Sequence, residues 1–459
     1  MLELDVNKWA AEQFGNCELG DVRRTRRAVK LAAQVAADPS GSTPEQTEKW
    51  ADCKAAYRLF DNEQVTFQSL AQPHWQQTRA SLSGHTLLID DTTDICFQPG
   101  RKIAGMGMIH DENHPGFLLH SSLAVDPISG GVLGMAGQTI RHRQPCKKEH
   151  SRKKLKREDR ESRLWGDVIQ LVGAPAEGNV YTHVCDRGAD NFEVYCHLLL
   201  QRSQWVIRAA QLDRRVVAPG GTNVRLNDYL ATLPLAGTYE LELKGTEKRV
   251  PRTARMEVRF GSLVMPRPHD ASRFMKECGI GQIAMQAVEI REVDVPQGVE
   301  GLYWVLFTSH EVSHFDQACQ VISWYEKRPI VEDYHKGLKT GCRVEERLYE
   351  TAARLEAVTG LLSVVAVRLL QLRTVARTQP ERPAAEVVPE NWLTMINALP
   401  QSKRRPIVTT YEFYRAMAML GGFLGRKRDG EPGWITLWRG FEKLHLLVRG
   451  AEALRKRCG

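Results

Sequence analysis

The sequence has no long hydrophobic run, no C-x-x-C cysteine pair and no internal repeat. Its longest apolar stretch, LLSVVAVRLL at 361–370, contains Arg368 and is too short to span a bilayer. The ten cysteines are scattered, which argues against a zinc finger and against a disulfide framework. The N-terminus carries acids and no apolar core region, so we expect no signal peptide. A reducing cytoplasm, with no membrane association, is the expected setting.

Positive charge is concentrated rather than spread. The formal net charge is +8, and residues 141–160 hold ten Lys/Arg against three Asp/Glu. Such a run is either a solvated loop or a surface that follows phosphates, and the sequence leaves both open. A second cluster, Arg23, Arg24, Arg26 and Arg27, lies in the first turns of a predicted helix, where cations oppose the helix dipole. Phosphate contact is the favoured interpretation, with an exposed basic face as the alternative.

Hydrophobic periodicity divides the chain into segments. Residues 1–75 have apolar residues at helical spacing, and from about 85 to 210 the pattern changes to short strands. Residues 211–300 predict further strands separated by Pro and Gly turns. The chain then becomes helical, and a Pro/Glu-rich linker at 377–390 precedes a final helical segment.

Acidic residues follow two of the predicted strands. Asp90 and Asp91 follow the apolar run TLLI, and Asp186 follows VYTHVC. A carboxylate at the end of a buried strand faces the region where α/β folds bind ligands, although a single such Asp is more often a turn former. Glu332, on a predicted helix, is a third candidate. Three such carboxylates can hold a pair of Mg²⁺ or Mn²⁺ ions, an arrangement that supports phosphodiester chemistry.

The stretch YEKRPIVEDYHKGLK predicts a polar helical face of mixed charge. Tyr325, Arg328, Glu332 and Lys339 are offset by 3, 7 and 14 residues, which places them within about 60° of each other on a helix. Such a face is either solvated or binds something charged. The two cations would neutralise phosphates beside the acids. Pro329 interrupts this face unless the helix restarts there with proline in its first turn.

The spacing Y-x₂-R-x₃-E-x₆-K resembles the YREK signature of a class of bacterial insertion-sequence transposases. These are DDE enzymes of the cut-and-paste kind that pass through a DNA hairpin. IDDTT around Asp91 is similar to the first-aspartate motif of this class, and VCDRGAD around Asp186 to the second. FGNCELGDVRRTRRAVKLAAQ and AAYRLFDN resemble its DNA-binding region, and AMLGGFLGRKRDGEPGWITLWRGFEKL its dimerisation segment. The similarity is collinear and covers most of the chain.

The resemblance implies an α/β protein with an RNase H-like catalytic core, a mixed sheet with helices, and helical domains at both ends. We expect a helical DNA-end-binding domain at 1–75 and a DDE catalytic domain at 76–376. A β-rich insertion at about 211–300 would interrupt that catalytic domain. A linker at 377–390 and a helical dimerisation domain at 391–459 would follow.

The resemblance also implies the catalytic residues. Asp91, Asp186 and Glu332 take the role of metal ligands, with two Mg²⁺ ions, or Mn²⁺, in each active site. We choose Asp91 over Asp90 because it directly precedes the two threonines of the motif.

Five further residues correspond to the DNA-contacting residues of this class. Tyr325, Arg328 and Lys339 would hold the phosphates of the cleaved end. Trp304, in YWVLFTS, would stack on a base flipped out at the hairpin, with a core tryptophan as the alternative. Arg208, in WVIRAA, aligns with a DNA-contacting arginine.

The expected function is transposition: end nicking, hairpin formation and resolution, and strand transfer. The expected partners are double-stranded DNA, as inverted-repeat ends and as target, and a second copy of the chain in a synaptic dimer. The expected location is the bacterial nucleoid. Two alternatives stay open. One is an end-binding descendant that no longer cuts, and the other is a structure-specific nuclease without strand transfer.

Overall fold

The computed structural model describes most of the 459-residue chain. The described residues are 5–47, 49–109, 111, 113–143, 161–243, 251–400, 406–426 and 429–458. Within them, the N-terminal part is helical, as its periodicity predicts. The helices are α1 (Val6–Phe14), α2 (Val22–Ala37), α3 (Thr43–Gln46), α4 (Trp50–Phe60) and α5 (Phe67–Ser81).

Eleven strands of the described chain form one mixed sheet. They are β1 (His85–Cys96), β2 (Gly116–Val125), β3 (Val132–Arg141), β4 (Val180–Cys185), β5 (Gln204–Arg208), β6 (Arg215–Val217), β7 (Asn223–Arg225), β8 (Gly237–Leu243), β9 (Arg252–Pro266), β10 (Gln282–Val293) and β11 (Tyr303–Thr308). Their order is β3-β2-β1-β4-β5-β11-β10-β9-β6-β7, and β8 pairs with β9.

The first five strands form the part of the sheet that positions the site. β1 is antiparallel to β2 and parallel to β4, which is parallel to β5. Helices α6 (Arg163–Val172) and α7 (Phe192–Leu200) connect these parallel strands. This arrangement, with a sheet covered by helices, is consistent with an RNase H-like core. The strands predicted at 211–300 continue the same sheet, because β11 pairs antiparallel with β5. Two short helices, α8 (Leu226–Thr232) and α9 (Arg273–Glu277), lie among them.

The rest of the described chain is helical. Its helices are α10 (Phe315–Tyr325), α11 (Pro329–Lys336), α12 (Ala352–Thr378), α13 (Glu390–Ala398), α14 (Thr410–Leu420) and α15 (Trp434–Cys458). The apolar run at 361–370 lies in the middle of α12, which packs against α5, β3 and α14. It is therefore core, and among the described residues no helix is long and apolar enough to cross a membrane. The predicted domain boundaries at 75 and 376 fall inside α5 and α12.

A buried arginine ties the N-terminal helices to the rest of the fold. Arg347 is 5% exposed, and its guanidinium donates to the carbonyls of Gly41 at 2.6 Å, Pro39 at 3.0 Å and Cys342 at 2.7 Å. The first two carbonyls precede α3, and the third follows the turn after α11. One side chain thus satisfies backbone acceptors from two distant segments.

We expect Arg347→Met to lower the free energy of unfolding by about 2–4 kcal/mol, because three buried carbonyls would lose their donor. Arg163→Ala is the control, because Arg163 is a half-exposed surface residue paired with Asp167, and should cost about 0.5 kcal/mol or less. Denaturant unfolding followed by circular dichroism measures both. Equal, small losses would show that Arg347 does not join the two segments.

Candidate active site

The first predicted aspartate lies in the middle of β1 rather than at its end. β1 continues to Cys96 because β2 pairs with it that far, whereas β4 pairs only as far as Asp90, opposite Cys185. Asp91 is therefore the first residue of β1 beyond the carboxyl end of β4. The prediction of a strand end is wrong for β1 itself, but it describes the end of the parallel pair.

The two neighbouring aspartates point to opposite faces of the sheet, as alternation along a strand requires. Asp90 is fully buried, with its Oδ2 2.6 Å from Nδ1 of His183 and accepting from the thiol of Cys185 at 3.5 Å. Asp91 instead reaches Arg328 on the other face. Of the pair, Asp91 is therefore the one that meets the other predicted site residues.

The second aspartate follows β4 directly, in a short turn. Asp186 Oδ1 accepts a hydrogen bond from the backbone N–H of Gly188 at 2.7 Å, which holds the carboxylate in place. Its other oxygen lies 3.7 Å from Nη2 of Arg328. A β-carbon on Gly188 would lie 3.0 Å from the carboxylate and 3.2 Å from the ring of Trp165, so the turn leaves little room there.

The stretch YEKRPIVEDYHKGLK does not form one continuous helix, and the alternative of a restart with Pro329 in the first turn is confirmed. α10 ends at Tyr325 and α11 begins at Pro329, because proline has no N–H and fits a first helical turn but not a helix interior. Glu332 lies in the first turn of α11. Lys339 lies beyond α11, in a π-helical turn over Gly337–Gly341.

Arg328 lies at the centre of the three acids. Its Nη2 is 3.3 Å from Asp91 Oδ2 and 3.7 Å from Asp186 Oδ2, and its Nη1 donates to Glu332 Oε1 at 2.5 Å. The guanidinium and Asp91 are both largely buried, with side-chain exposures of 17% and 14%. One cation thus partly neutralises three carboxylates that would otherwise repel one another.

Burial dominates the ionisation of Asp91. It raises the pKa of this carboxyl to about 6, and the neighbouring Asp186 and Glu332 add to the rise, while Arg328 opposes it. Asp91 is thus ionised at pH 8 at a cost in folding free energy.

The donor set suits a hard divalent cation, because it consists of carboxylate oxygens. As the acids are placed here, however, no group of three or more His, Cys, Asp or Glu among the described residues could hold a metal ion. Arg328 occupies the space between them. Metal binding at this site would require its guanidinium to turn away.

Three of the predicted DNA-contacting residues form a cluster beside the acids. The rings of Trp304 and Tyr325 are 6.0 Å apart between centroids, and Trp304 is half-buried. Arg208 donates to the carbonyl of Tyr303 at 3.2 Å and also hydrogen-bonds Tyr325. Burial raises the pKa of Tyr325, and the positive charges of Arg208 and Arg328 oppose that rise.

Lys339 lies apart from this cluster. Its Nζ is 3.3 Å from Glu345 Oε1, which also accepts from the backbone N–H of Cys96 at 3.0 Å. Lys339 is thus held beside the far end of β1, five residues beyond Asp91. Of the three predicted acids and the five predicted DNA-contacting residues beside them, the structure brings together seven and leaves Lys339 at the margin.

Two family models match the ends of the chain. A transposase DNA-binding model matches residues 6–65, and a Tn5 transposase dimerisation model matches residues 364–458. Together they indicate a transposase. The matches also support DNA as a partner and the formation of a homodimer.

The N-terminal arginines lie within the DNA-binding match, and they differ in their contacts. Arg23 pairs with Asp21, the cap of α2, but stays 84% exposed. Arg24 donates to the Leu19 carbonyl, and Arg27 pairs with Asp52 at 2.7 Å. Two of the four are therefore held within the protein.

Arg26 is exposed and has no ion-pair partner among the residues that the structure describes. It is thus the arginine of this cluster best placed to meet phosphate. Residues 144–160 of the predicted phosphate-tracking run lie outside the described residues.

Two further residues contact this region without having been predicted: His335, near Arg328, and Glu345, beside Lys339. His335, one helical turn after Glu332, is buried, which lowers its pKa to about 3. Its Nε2 has no hydrogen-bond partner in the described part of the chain. The three-residue spacing from Glu332 was a visible signal for it. Glu345, the partner of Lys339, had no such signal because it lies beyond the helix that the pattern predicted.

We expect Asp91→Asn to stabilise the protein at pH 8. The pKa of Asp91 is raised in the folded state, so the cost of its charge is fully present above about pH 6, falls as the pH drops below that value, and is lost only below the unfolded-state pKa of about 4. The gain in unfolding free energy should be about 1–3 kcal/mol at pH 8 and should shrink at pH 5, where Asp91 is protonated.

Thermal unfolding in EDTA at both pH values measures this difference, with Asp94→Asn on the same strand as the matched control. A loss of stability at pH 8 would mean that the contact of Asp91 with Arg328 outweighs the cost of burial.

Proposed function

We propose that the chain is a DDE transposase of the cut-and-paste kind, with Asp91, Asp186 and Glu332 as its catalytic carboxylates. One observation carries the proposal: acids from β1, from the end of β4 and from α11 converge on the single guanidinium of Arg328. Residues so far apart in sequence meet only through the fold, in a chain whose two ends match transposase domains.

The domain assignment follows the same division. We assign β1–β5 to an RNase H-like core, and we assign the elements from β6 to β10, at about 211–300, to the β-rich insertion between the second aspartate and the glutamate. The strand order of the core and the antiparallel pairing of β11 with β5 support this division. The helices before β1 form the end-binding domain, and α13–α15 belong to the dimerisation domain.

The three carboxylates would hold two Mg²⁺ or Mn²⁺ ions. Such ions, when bound, activate the attacking oxygen and stabilise the leaving oxygen of a phosphodiester. In the DNA-free protein, Arg328 neutralises part of the charge of the acids. A DNA phosphate presents two oxygens to the same guanidinium fork, so the arrival of DNA would draw Arg328 from the carboxylates.

Other side chains are assigned to the DNA. Arg328 and Lys339 would bind phosphates of the cleaved end, and the hydroxyl of Tyr325, held by Arg208, would donate to a neighbouring phosphate oxygen. Trp304 would stack on a base flipped out at the hairpin. The contact of Trp304 with Tyr325, beside the acids, supports this assignment.

The proposed reaction has four transfers at phosphorus. Water cuts one strand at the transposon end and leaves a 3′-hydroxyl, which attacks the opposite strand and closes a hairpin. A second water reopens the hairpin, and the 3′-hydroxyl then attacks the target DNA. Each transfer exchanges one P–O bond for another, so one set of carboxylates serves all four. A homodimer would hold the two inverted-repeat ends in a synaptic complex.

Two other functions use the same fold. A binding-only descendant does not need the three acids, so their presence and convergence argue against it. A nuclease without strand transfer does not need paired ends, and the match to a dimerisation domain at residues 364–458 argues against it.

Glu332→Gln should keep the affinity for the transposon end within about twofold and reduce first-strand nicking by more than about 100-fold, because it removes the charge that holds a metal ion. The assay uses purified protein, Mg²⁺ and a labelled duplex carrying the inverted repeat that flanks the gene, with products separated on a denaturing gel.

Asp333→Asn, on the same helix, is the matched control and should nick normally. Nicking retained by Glu332→Gln would remove Glu332 from the site. Wild-type protein that binds the end and yields no cut in Mg²⁺ or Mn²⁺ would favour the binding-only function.

Trp304→Ala should slow hairpin formation by about 5–150-fold while affecting first-strand nicking less, because base stacking on an aromatic ring contributes about 1–3 kcal/mol. Trp304→Phe keeps a π-face and should restore most of the rate. Time courses of nick and hairpin on the same gel separate the steps. Equal losses at both steps would indicate that Trp304 only packs against Tyr325.

A further inference from the structure

Trp50 is largely exposed to solvent on the surface of the N-terminal helices. It is the first residue of α4 and is 76% exposed, although the burial of a ring of this size is strongly favourable. Among the residues whose side chains the structure describes, no other aromatic is exposed to this degree. An uncovered tryptophan of this kind indicates a surface that a partner covers.

Two cations lie on the same face of α4 as Trp50. Lys54 and Arg58 follow it at intervals of four residues, which places all three on one helical stripe. All three are exposed, while Cys53 and Ala56 on the opposite face are buried. The stripe therefore points away from the protein, with one aromatic ring and two positive charges.

The basic start of α2 joins this stripe. Arg27 and Lys30 both pair with Asp52, at 2.7 and 2.8 Å, and these ion pairs hold α2 against the first turn of α4. Asp52 is thereby neutralised. The exposed Arg26 lies one residue before Arg27, and the exposed Lys49 precedes Trp50, so both of the helices joined by Asp52 carry an exposed cation.

We propose that Trp50 packs against the sugar edges of the transposon-end duplex, while Lys54, Arg58 and Arg26 contact the flanking phosphates. This surface is called the Trp50 face below. Its charge is complementary to a polyanion, and the match to a transposase DNA-binding domain at residues 6–65 includes all of it. A second protein with an apolar patch would have no use for the surrounding cations. The inference rests on the proposed function, because it names how the end is held.

The test measures binding of the full chain in EDTA by fluorescence anisotropy. One labelled duplex carries the inverted repeat that flanks the gene, and a second carries a scrambled sequence of equal length. Trp50→Ala should weaken binding of the inverted-repeat duplex by about tenfold or more, and Trp50→Phe by less. The salt dependence of Trp50→Ala should match wild type, whereas Lys54→Gln should lower its slope by about one.

Leu200→Ala is the matched control, because Leu200 is another exposed apolar residue, 51% exposed on α7, outside the Trp50 face. It should bind like wild type. Binding by Trp50→Ala within twofold of wild type would overturn the assignment of the Trp50 face and leave the proposed function intact. Wild-type protein that binds neither duplex would overturn both. If the Trp50→Ala variant forms a smaller oligomer than wild type in the absence of DNA, the Trp50 face is a self-association surface and the proposal that it binds DNA is wrong.

A second measurement uses the unaltered protein and so does not depend on a variant that folds. Hydroxyl-radical labelling followed by mass spectrometry reports the exposure of Trp50 directly. The inverted-repeat duplex should protect Trp50 from oxidation by several-fold. Labelling of Trp50 that is unchanged by a saturating amount of bound duplex would contradict the proposal.

Discussion

The contact of Arg328 with Asp91, Asp186 and Glu332 is the interaction on which the rest of the candidate site depends. Three carboxylates in so small a volume repel one another, and Asp91 is also buried, which raises its pKa to about 6. A single cation at the centre lets the acids be assembled before any other positive charge arrives. Under the proposed function, divalent cations would compensate the carboxylates in place of Arg328, and a phosphate would replace the carboxylates as the partner of its guanidinium.

Two local constraints bring those four residues together. The parallel pairing of β1 with β4 ends at Asp90 and Cys185, so Asp91 and Asp186 emerge side by side where the shared ladder stops. α10 ends at Tyr325 and α11 starts at Pro329, and Glu332 in the first turn of α11 accepts from Arg328.

At the N-terminal helices, some basic side chains form contacts within the fold and others stay exposed. Arg24 and Arg27 are engaged within the protein, and Asp52 joins two helices through two cations. The side chains that stay exposed to a polyanion form a smaller set, which includes Trp50. A count of basic residues overstates such a surface, because ion pairs within the fold already neutralise part of it.

The sequence by itself determined the helical ends, the strands between them and the proline at which a helix restarts, because these depend on local periodicity and residue chemistry, and it singled out Asp91, Asp186 and Glu332 as candidate acids. It could not determine that β1 continues past Asp91, because this depends on the pairing of β1 with β2. Nor could it determine that Lys339 lies beside Glu345, apart from the other site residues. The exposure of Trp50 and the place of Arg328 among the acids were equally hidden. Both are set by contacts between residues distant in sequence, and only the tertiary structure decides those.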